Sequence, residues 1–109
     1  MKKYLKIIRE NILATLDENG LKLVNIFLFG SRARGEYSRL SDYDLLVIVK
    51  DELNSHIKRE VRKKIYNKLH YVFPTVSFDI IVKTEKEFEI EKEIINTISN
   101  EVFLEGIRI

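Results

Sequence analysis

Apolar residues recur along the first part of the chain at spacings of three and four, which is the repeat of one helix face. Within residues 2–18 the positions that follow this spacing are Leu5, Ile8, Ile12 and Leu16. Asn19 and Gly20 come next, and glycine suits the left-handed residue that closes many helices. The pattern therefore predicts a helix over residues 2–18.

Three short runs further along are almost continuously apolar, as expected of strands that are buried on both faces. They are residues 23–29 (LVNIFLF), 43–49 (YDLLVIV) and 75–82 (TVSFDIIV). Gly30 follows the first run and Pro74 precedes the third. The polar segment between the first two runs, residues 31–40, predicts a turn with at most one turn of helix.

A second helical stripe lies within residues 55–72, at Ile57, Val61, Ile65, Leu69 and Val72. Ser55 is a suitable N-cap for this helix. Residues 85–104 also have a helical pattern, with a break predicted near residues 96–100. Gly106 ends that helix, and residues 107–109 predict a short edge strand.

Strands that alternate with helices predict an α/β protein, in which helices pack on a mixed sheet of at least three strands. A chain of 109 residues with 45% apolar residues fits one domain, here residues 1–109, and is not disordered by composition. The absence of cysteine excludes disulfides, thiol nucleophiles and Cys-ligated zinc. No apolar run is long enough for a membrane span or a signal peptide, so we expect a cytoplasmic protein.

Charge is nearly balanced overall, at +2, but it is unevenly distributed. Residues 55–71 contain six Lys or Arg and one Glu, whereas residues 84–105 contain seven Glu and two Lys. Two interpretations remain open: solvated helix faces, or a basic surface that attracts an acidic or phosphate-rich partner. The overall balance does not favour direct binding to nucleic acid.

Candidate chemistry lies between the first two predicted strands. Gly30 can adopt a positive φ angle and lets a ligand approach the backbone closely. Ser31 adds a hydroxyl and an amide beside it, while Arg32 and Arg34 add positive charge. Backbone N–H groups at such a turn bind phosphate in other proteins. This segment therefore predicts one half of a triphosphate site.

Three aspartates provide the other half. Asp42 and Asp44 are two residues apart at the start of a predicted strand, so they project from the same face. Asp79 interrupts the third apolar run, where a carboxylate is costly unless it is paired or coordinated. If the second and third strands are neighbours, the three acids form one cluster. Carboxylates facing a phosphate turn suit Mg²⁺, which keeps water and phosphate oxygens as its other ligands.

These residues resemble a known signature. Residues 30–35 (GSRARG) and 41–47 (SDYDLLV) closely resemble the motif of the DNA polymerase β-type nucleotidyltransferase superfamily. The chain as a whole is similar to its minimal nucleotidyltransferases, which act as antitoxins beside HEPN-domain toxins. The resemblance implies the nucleotidyltransferase fold. Tyr43, where a small aliphatic residue is common in the family, is a mild departure.

The resemblance also implies a role for each matching residue. Asp42, Asp44 and Asp79 are the catalytic and metal-binding acids, with two Mg²⁺ ions, and Asp79 can accept the proton of the attacking hydroxyl. The nucleotide-binding residues that it implies are Gly30 and Ser31 on the β- and γ-phosphates, Arg32, Arg34 and Ser41.

The implied activity is transfer of AMP from ATP to a tyrosine hydroxyl of a HEPN ribonuclease toxin. Two alternatives stay open: a non-catalytic antitoxin that blocks its toxin by binding, and a nucleotidyltransferase that acts on RNA or a small molecule. Either a homodimer or a hetero-oligomer with the toxin is compatible with the sequence. Because the helices are needed to cover the sheet and the loops are short, we expect the acceptor to bring its own binding surface.

Overall fold

The computed structural model of the chain describes residues 2–109, and five helices and four strands lie within that range. In chain order they are α1 (Lys2–Glu18), β1 (Leu23–Phe29), α2 (Gly30–Ala33), β2 (Tyr43–Val49), α3 (Ser55–Val72), β3 (Phe78–Thr84), α4 (Glu85–Glu91), α5 (Ile98–Glu105) and β4 (Ile107–Arg108). None of these helices has the length and apolar character needed to cross a lipid bilayer.

The strands form one mixed sheet in the order β3-β2-β1-β4. β1 is antiparallel to both β2 and β4, whereas β2 and β3 are parallel and are connected through α3. As a result β2 and β3 begin at the edge of the sheet where β1 ends. This edge brings together the turn after β1 and the start of both aspartate-bearing strands.

Alternation along the strands divides the core between the two faces of the sheet. One face packs against α1 and α3 through a large cluster that includes Ile12, Leu45 and Ile65, all fully buried. The opposite face is covered less completely by α4 and α5, through Phe88 and Val102. The site described below lies on this second face.

Most of the predicted elements are confirmed, including helix 2–18, strands 23–29 and 43–49, helix 55–72 and a terminal edge strand. α1 ends as its Asn-Gly pair predicts. Gly20 has a φ angle of +69°, its N–H donates to Asp17 O, and the Leu21 N–H donates to Leu16 O. These two bonds form the Schellman arrangement that satisfies the last carbonyls of a helix.

Three predicted boundaries are wrong, one of them the end of the third strand, which lies at Thr84 rather than residue 82. The third strand begins at Phe78 rather than residue 75, because the chain after Pro74 first makes a turn in which the Val76 N–H donates to Phe73 O. The N-cap of α3 is Asn54 rather than Ser55, since the Asn54 side chain accepts from the Ile57 N–H at 2.9 Å.

The helical segment 85–104 is interrupted earlier than predicted. α4 ends at Glu91, and α5 begins at Ile98 with Thr97 as its N-cap. Asn96, in the connection, has a φ angle of +72°, which no residue inside a right-handed helix adopts. Thr97 Oγ1 accepts from the Asn100 N–H, so a new helix starts where the first pattern seemed to continue.

Candidate active site

Gly30 stands at the end of β1 in contact with an aspartate of the neighbouring strand. Its φ angle is +72°, a conformation that favours glycine. A Cβ atom at this position would overlap Oδ2 of Asp44. Glycine is therefore required for two independent reasons, the backbone angle and the close approach of the carboxylate.

Asp44 and Asp79 occupy the same register position on the parallel strands β2 and β3. The residues before them, Tyr43 and Phe78, are also paired in register and are buried on the face covered by α1 and α3. Because side chains alternate along a strand, both aspartates project from the opposite face. The prediction that the third strand adjoins the second is confirmed, and it places two of the three acids side by side.

The electrostatics of Asp44 show that the acids are close enough to interact. Partial burial raises the pKa of its carboxyl above the usual 3.8, and the charges of Asp79 and Asp42 raise it further. Asp42 and Asp79 are exposed, whereas Asp44 is half-buried. Crowded like charges at the end of a sheet, open to solvent, are the environment in which a bound cation is most favourable.

The three aspartates are neighbours, but their carboxylates do not converge on a single metal position. Within residues 2–109 no set of three or more His, Asp or Glu side chains is arranged to hold a single metal ion. The residue types nevertheless fit Mg²⁺, because hard oxygen donors, two of them exposed, leave room for water and phosphate ligands.

Arg32 is buried in a stack of side chains. Its guanidinium lies 4.0 Å from the ring centroid of Tyr43 and 4.9 Å from that of Tyr37. The Tyr43 ring in turn stacks on Phe78, with centroids 5.7 Å apart. Nε and Nη2 of Arg32 both donate to Ser41 O, at 3.0 and 2.9 Å. Arg32 therefore ties the turn after β1 to the residue that precedes Asp42, and those two N–H groups do not face a ligand.

The other predicted nucleotide-binding residues have different surroundings. Ser41 Oγ accepts from the Ser38 N–H at 3.0 Å and so shapes the loop before Asp42. Ser31 is half-buried, and within residues 2–109 its hydroxyl makes no hydrogen bond. Arg34 is exposed and donates to Glu36 Oε1 at 2.7 Å, a bond that raises the pKa of its guanidinium.

Sequence reasoning missed one acid at this site, Glu101 of α5. Its charge adds to those that raise the pKa of Asp44, and its carboxylate lies 3.8 Å from Nη1 of Arg34. Glu105, one helical turn later, lies at the same distance from that nitrogen. The acidity of residues 84–105 was visible in the sequence, but only the fold brings α5 to this edge of the sheet.

A cavity of about 730 Å³ opens on the other side of β2, toward α1. Tyr43 and Arg32 form part of its wall, together with the loop residues 37–41 and the segment 75–77 before β3. Asp42 is the residue between Ser41 and Tyr43, so the cavity begins immediately beside the acid group. Sequence reasoning did not predict this cavity.

Comparisons with known proteins agree with this architecture. The family model of the nucleotidyltransferase domain matches residues 8–104. In structure the chain is similar to a crystal structure of a toxin–antitoxin with AMP-PNP, with 24% identity and a TM-score of 0.57 over 91% of this chain and 69% of that one. It is also similar to a substituted form of the toxin–antitoxin MntA–HpeT, with 22% identity and a TM-score of 0.56 over 93% of this chain and 69% of that one.

A third similar structure is that of a nucleotidyltransferase, with 23% identity, a TM-score of 0.54 and 97% of each chain covered. Identities this low indicate a shared fold. No curated protein sequence matches the chain. The resemblance drawn from residues 30–35 and 41–47 is thus confirmed at the level of the family, and the fold class is confirmed with it.

Proposed function

The chain belongs to the nucleotidyltransferase domain family, and from that membership we propose that it transfers AMP from ATP to a tyrosine hydroxyl of a HEPN-domain toxin. In this role it is the antitoxin of the pair, and the modified toxin loses its ribonuclease activity. The observation that carries the proposal is the contact of Gly30 with Asp44, with Asp79 beside it in register.

Gly30 and Ser31 bind the phosphates of ATP in this proposal. The absence of a side chain at Gly30 lets the Asp44 carboxylate pack directly against the backbone of the phosphate turn. The Ser31 hydroxyl, which has no partner within residues 2–109, can donate to a phosphate oxygen. Arg34 lies on the same turn and adds a positive charge, while Glu36, Glu101 and Glu105 keep its side chain near the site.

Asp42 and Asp44 would hold Mg²⁺, with Asp79 sharing it. When bound, Mg²⁺ neutralises the phosphates and stabilises the attacking and leaving oxygens of an in-line displacement. The raised pKa of Asp44 means that its charge is unfavourable in the protein alone, so cation binding relieves this penalty. Ser41 and Arg32 position Asp42 through the backbone of the preceding residue.

The phenol oxygen of the acceptor forms a bond to the α-phosphorus of ATP, and the bond from that phosphorus to the α–β bridging oxygen breaks. Pyrophosphate leaves with the electron pair of that bond. The phenol proton passes to the exposed carboxylate of Asp79, which returns it to solvent.

The toxin partner and the location of the reaction belong to the same proposal. Two of the similar structures are toxin–antitoxin pairs, and one of them contains AMP-PNP, a nucleotide of the kind we propose for this chain. We propose that residues 1–109 form one minimal nucleotidyltransferase domain that acts in the cytoplasm. The basic surface of α3 would attract an acidic partner.

The test is to mix the purified chain with Mg·ATP and the HEPN-domain protein encoded beside it, and to measure intact masses. Each transfer adds one AMP to the toxin, and label from the α-phosphate of ATP follows it whereas label from the γ-phosphate does not. Asp42→Asn should abolish the addition, and Asp17→Asn, an exposed aspartate of α1, is the matched control. A toxin that is silenced while its mass stays unchanged would favour the non-catalytic antitoxin instead.

A further inference from the structure

The wall of the cavity beside β2 includes three stacked side chains, Tyr43, Arg32 and Tyr37, and Phe78 packs on Tyr43 outside the lining. Phe78, Tyr43, Arg32 and Tyr37 follow one another, and the centroid distances between neighbours fall between 4.0 and 5.7 Å. The inner members are buried, whereas Tyr37 is 43% exposed at the open end. An aromatic ring entering the cavity can therefore extend the stack on the free face of Tyr37.

The remaining lining of the cavity mixes polar residues with Leu40 and Val76, and it contains no acid. Arg39 is exposed and forms no ion pair within residues 2–109, and Arg32 contributes a second positive charge. The hydroxyls of Thr75 and Ser77 make no side-chain hydrogen bonds in the part of the chain that the structure describes. Tyr4, half exposed, supplies another aromatic surface. This lining suits a planar ring that carries a hydrogen-bonding group and is accompanied by negative charge.

The position of the cavity relates it to the acid group. Gly30 adjoins β2 from the β1 side, whereas the segment 75–77 adjoins it from the β3 side. Asp42 lies between the two. An in-line displacement requires the attacking and leaving groups on opposite sides of the phosphorus atom. The cavity opens on the α1 side of β2, whereas Asp44 and Asp79 project from the opposite face, so a group seated in the cavity would reach the phosphates past Asp42 at the end of the sheet.

We propose that this cavity is the acceptor pocket, and that it receives a tyrosine side chain carried on an acidic segment of the partner protein. This inference rests on the proposed function, and it replaces the expectation that the chain has no acceptor pocket of its own. A nucleotide shares the required chemistry, but the wall offers it less. Two N–H groups of Arg32 are committed to Ser41 O, which leaves Arg39 as the main cation for a phosphate.

The first experiment measures binding directly and needs no transfer reaction. The ¹⁵N-labelled chain is titrated with a capped peptide that has one tyrosine between two aspartates, with and without Mg·ATP. We expect amide shifts in residues 37–43 and 75–77. The same peptide with lysines in place of aspartates should bind more weakly. Shifts confined to other residues, or none, would overturn the proposal, and so would displacement of the peptide from these residues by AMP.

Substitutions distinguish peptide binding in the cavity from Mg·ATP binding at the acid group. Ser77→Trp fills the cavity, and Ser55→Trp makes the same change at the exposed start of α3. Arg39→Glu reverses the cavity charge, and Arg59→Glu does so on the exposed surface of α3. The two cavity variants should weaken peptide binding by about tenfold or more, equivalent to about 1.4 kcal/mol. Their Kd for Mg·ATP should stay unchanged. The two control variants should bind both the peptide and Mg·ATP as the parent does.

The two proposals can fail separately. If the peptide binds in the cavity but AMP is never transferred to the toxin, the proposed function is wrong, and the cavity is a tyrosine-binding site but not an acceptor pocket. If AMP is transferred and Ser77→Trp leaves the KM for the toxin unchanged, the pocket assignment is wrong and the activity stands.

Discussion

The carboxylate of Asp44 lies so close to Gly30 that one added methyl group would overlap its Oδ2 atom. The phosphate turn and the metal-binding acid of the proposed site are therefore a single packed unit. Neither can move or change size without the other, which makes Gly30 the most sensitive position for a small substitution.

Gly30→Ala should weaken Mg·ATP binding by about tenfold or more, because the new methyl displaces the Asp44 carboxylate and strains a φ angle of +72°. Gly20→Ala is the matched control, since Gly20 has a φ angle of +69° with no atom near its missing Cβ. The control should lose about 1 kcal/mol of stability and keep its affinity for Mg·ATP. Calorimetry and thermal unfolding measure the two effects, and equal affinities in the two variants would contradict this account.

Asp44→Asn should raise the melting temperature of the metal-free protein at neutral pH. Burial and the charges of Asp79 and Asp42 raise the pKa of Asp44 in the fold above its ordinary value of 3.8. Its contribution to stability is therefore fully present below pH 3.8 and is lost as the pH rises through the folded-state pKa. The advantage of the Asn variant should disappear as the pH falls toward 3.8. Melting curves of both proteins across this range, without metal, provide the measurement.

Glu87→Gln should have the opposite pH dependence. Burial alone would raise the pKa of Glu87, but hydrogen bonds from Lys58 and from the backbone of Thr84 outweigh it and lower the pKa below the usual 4.5. This contribution to stability is present above pH 4.5 and is lost as the pH falls through the folded-state pKa. The variant should therefore be less stable than the parent at neutral pH, and the two should become equal in acid. A difference that grows on acidification would show that Glu87 does not act in this way.

Thr84→Ala should destabilise the protein by about 1 kcal/mol at neutral pH. Thr84 Oγ1 accepts from the Glu87 N–H and Glu87 accepts from the Thr84 N–H, a reciprocal cap that starts α4 directly after β3. Urea unfolding measures the loss. Thr75→Ala, at an exposed threonine that caps no helix, should change stability much less.

Arg32→Met should cost about 1–3 kcal/mol of stability, because Ser41 O loses two hydrogen bonds and the stack between Tyr37 and Tyr43 loses its cation. Arg34→Met removes the same charge from the same turn but only exposed ion pairs, so it should cost about 1 kcal/mol or less. Urea unfolding compares the two. Equal losses would mean that the buried stack contributes little.

Patterns that depend on neighbouring residues could be predicted from the sequence. β1 and β2 have their predicted bounds because each is a short apolar run between polar turns. The pattern predicts the start of β3 three residues too early, because Val76 extends the apolar run in the sequence although it lies in a turn. The pairing of Asp44 with Asp79 followed from assuming that β2 and β3 are neighbours, which the fold bears out.

What could not be predicted depends on segments that are distant in sequence. Arg32 looks like any basic residue beside a phosphate turn, and its burial requires Tyr37, Tyr43 and Ser41 to meet around it. Glu101 reaches the site only because α5 packs against β1, which brings its carboxylate within 3.8 Å of Nη1 of Arg34. Neither arrangement leaves a periodic signal in the sequence.

The register between β2 and β3 limits how this chain can change in length. A slip of one residue would turn Asp79 toward the face covered by α1 and α3 and bring an apolar neighbour beside Asp44. Length variation among related chains is therefore expected in the connection 50–54, where an added residue is absorbed before α3 begins. The stretch from Phe78 to Thr84 tolerates no insertion or deletion, because every residue there is paired in register with a residue of β2.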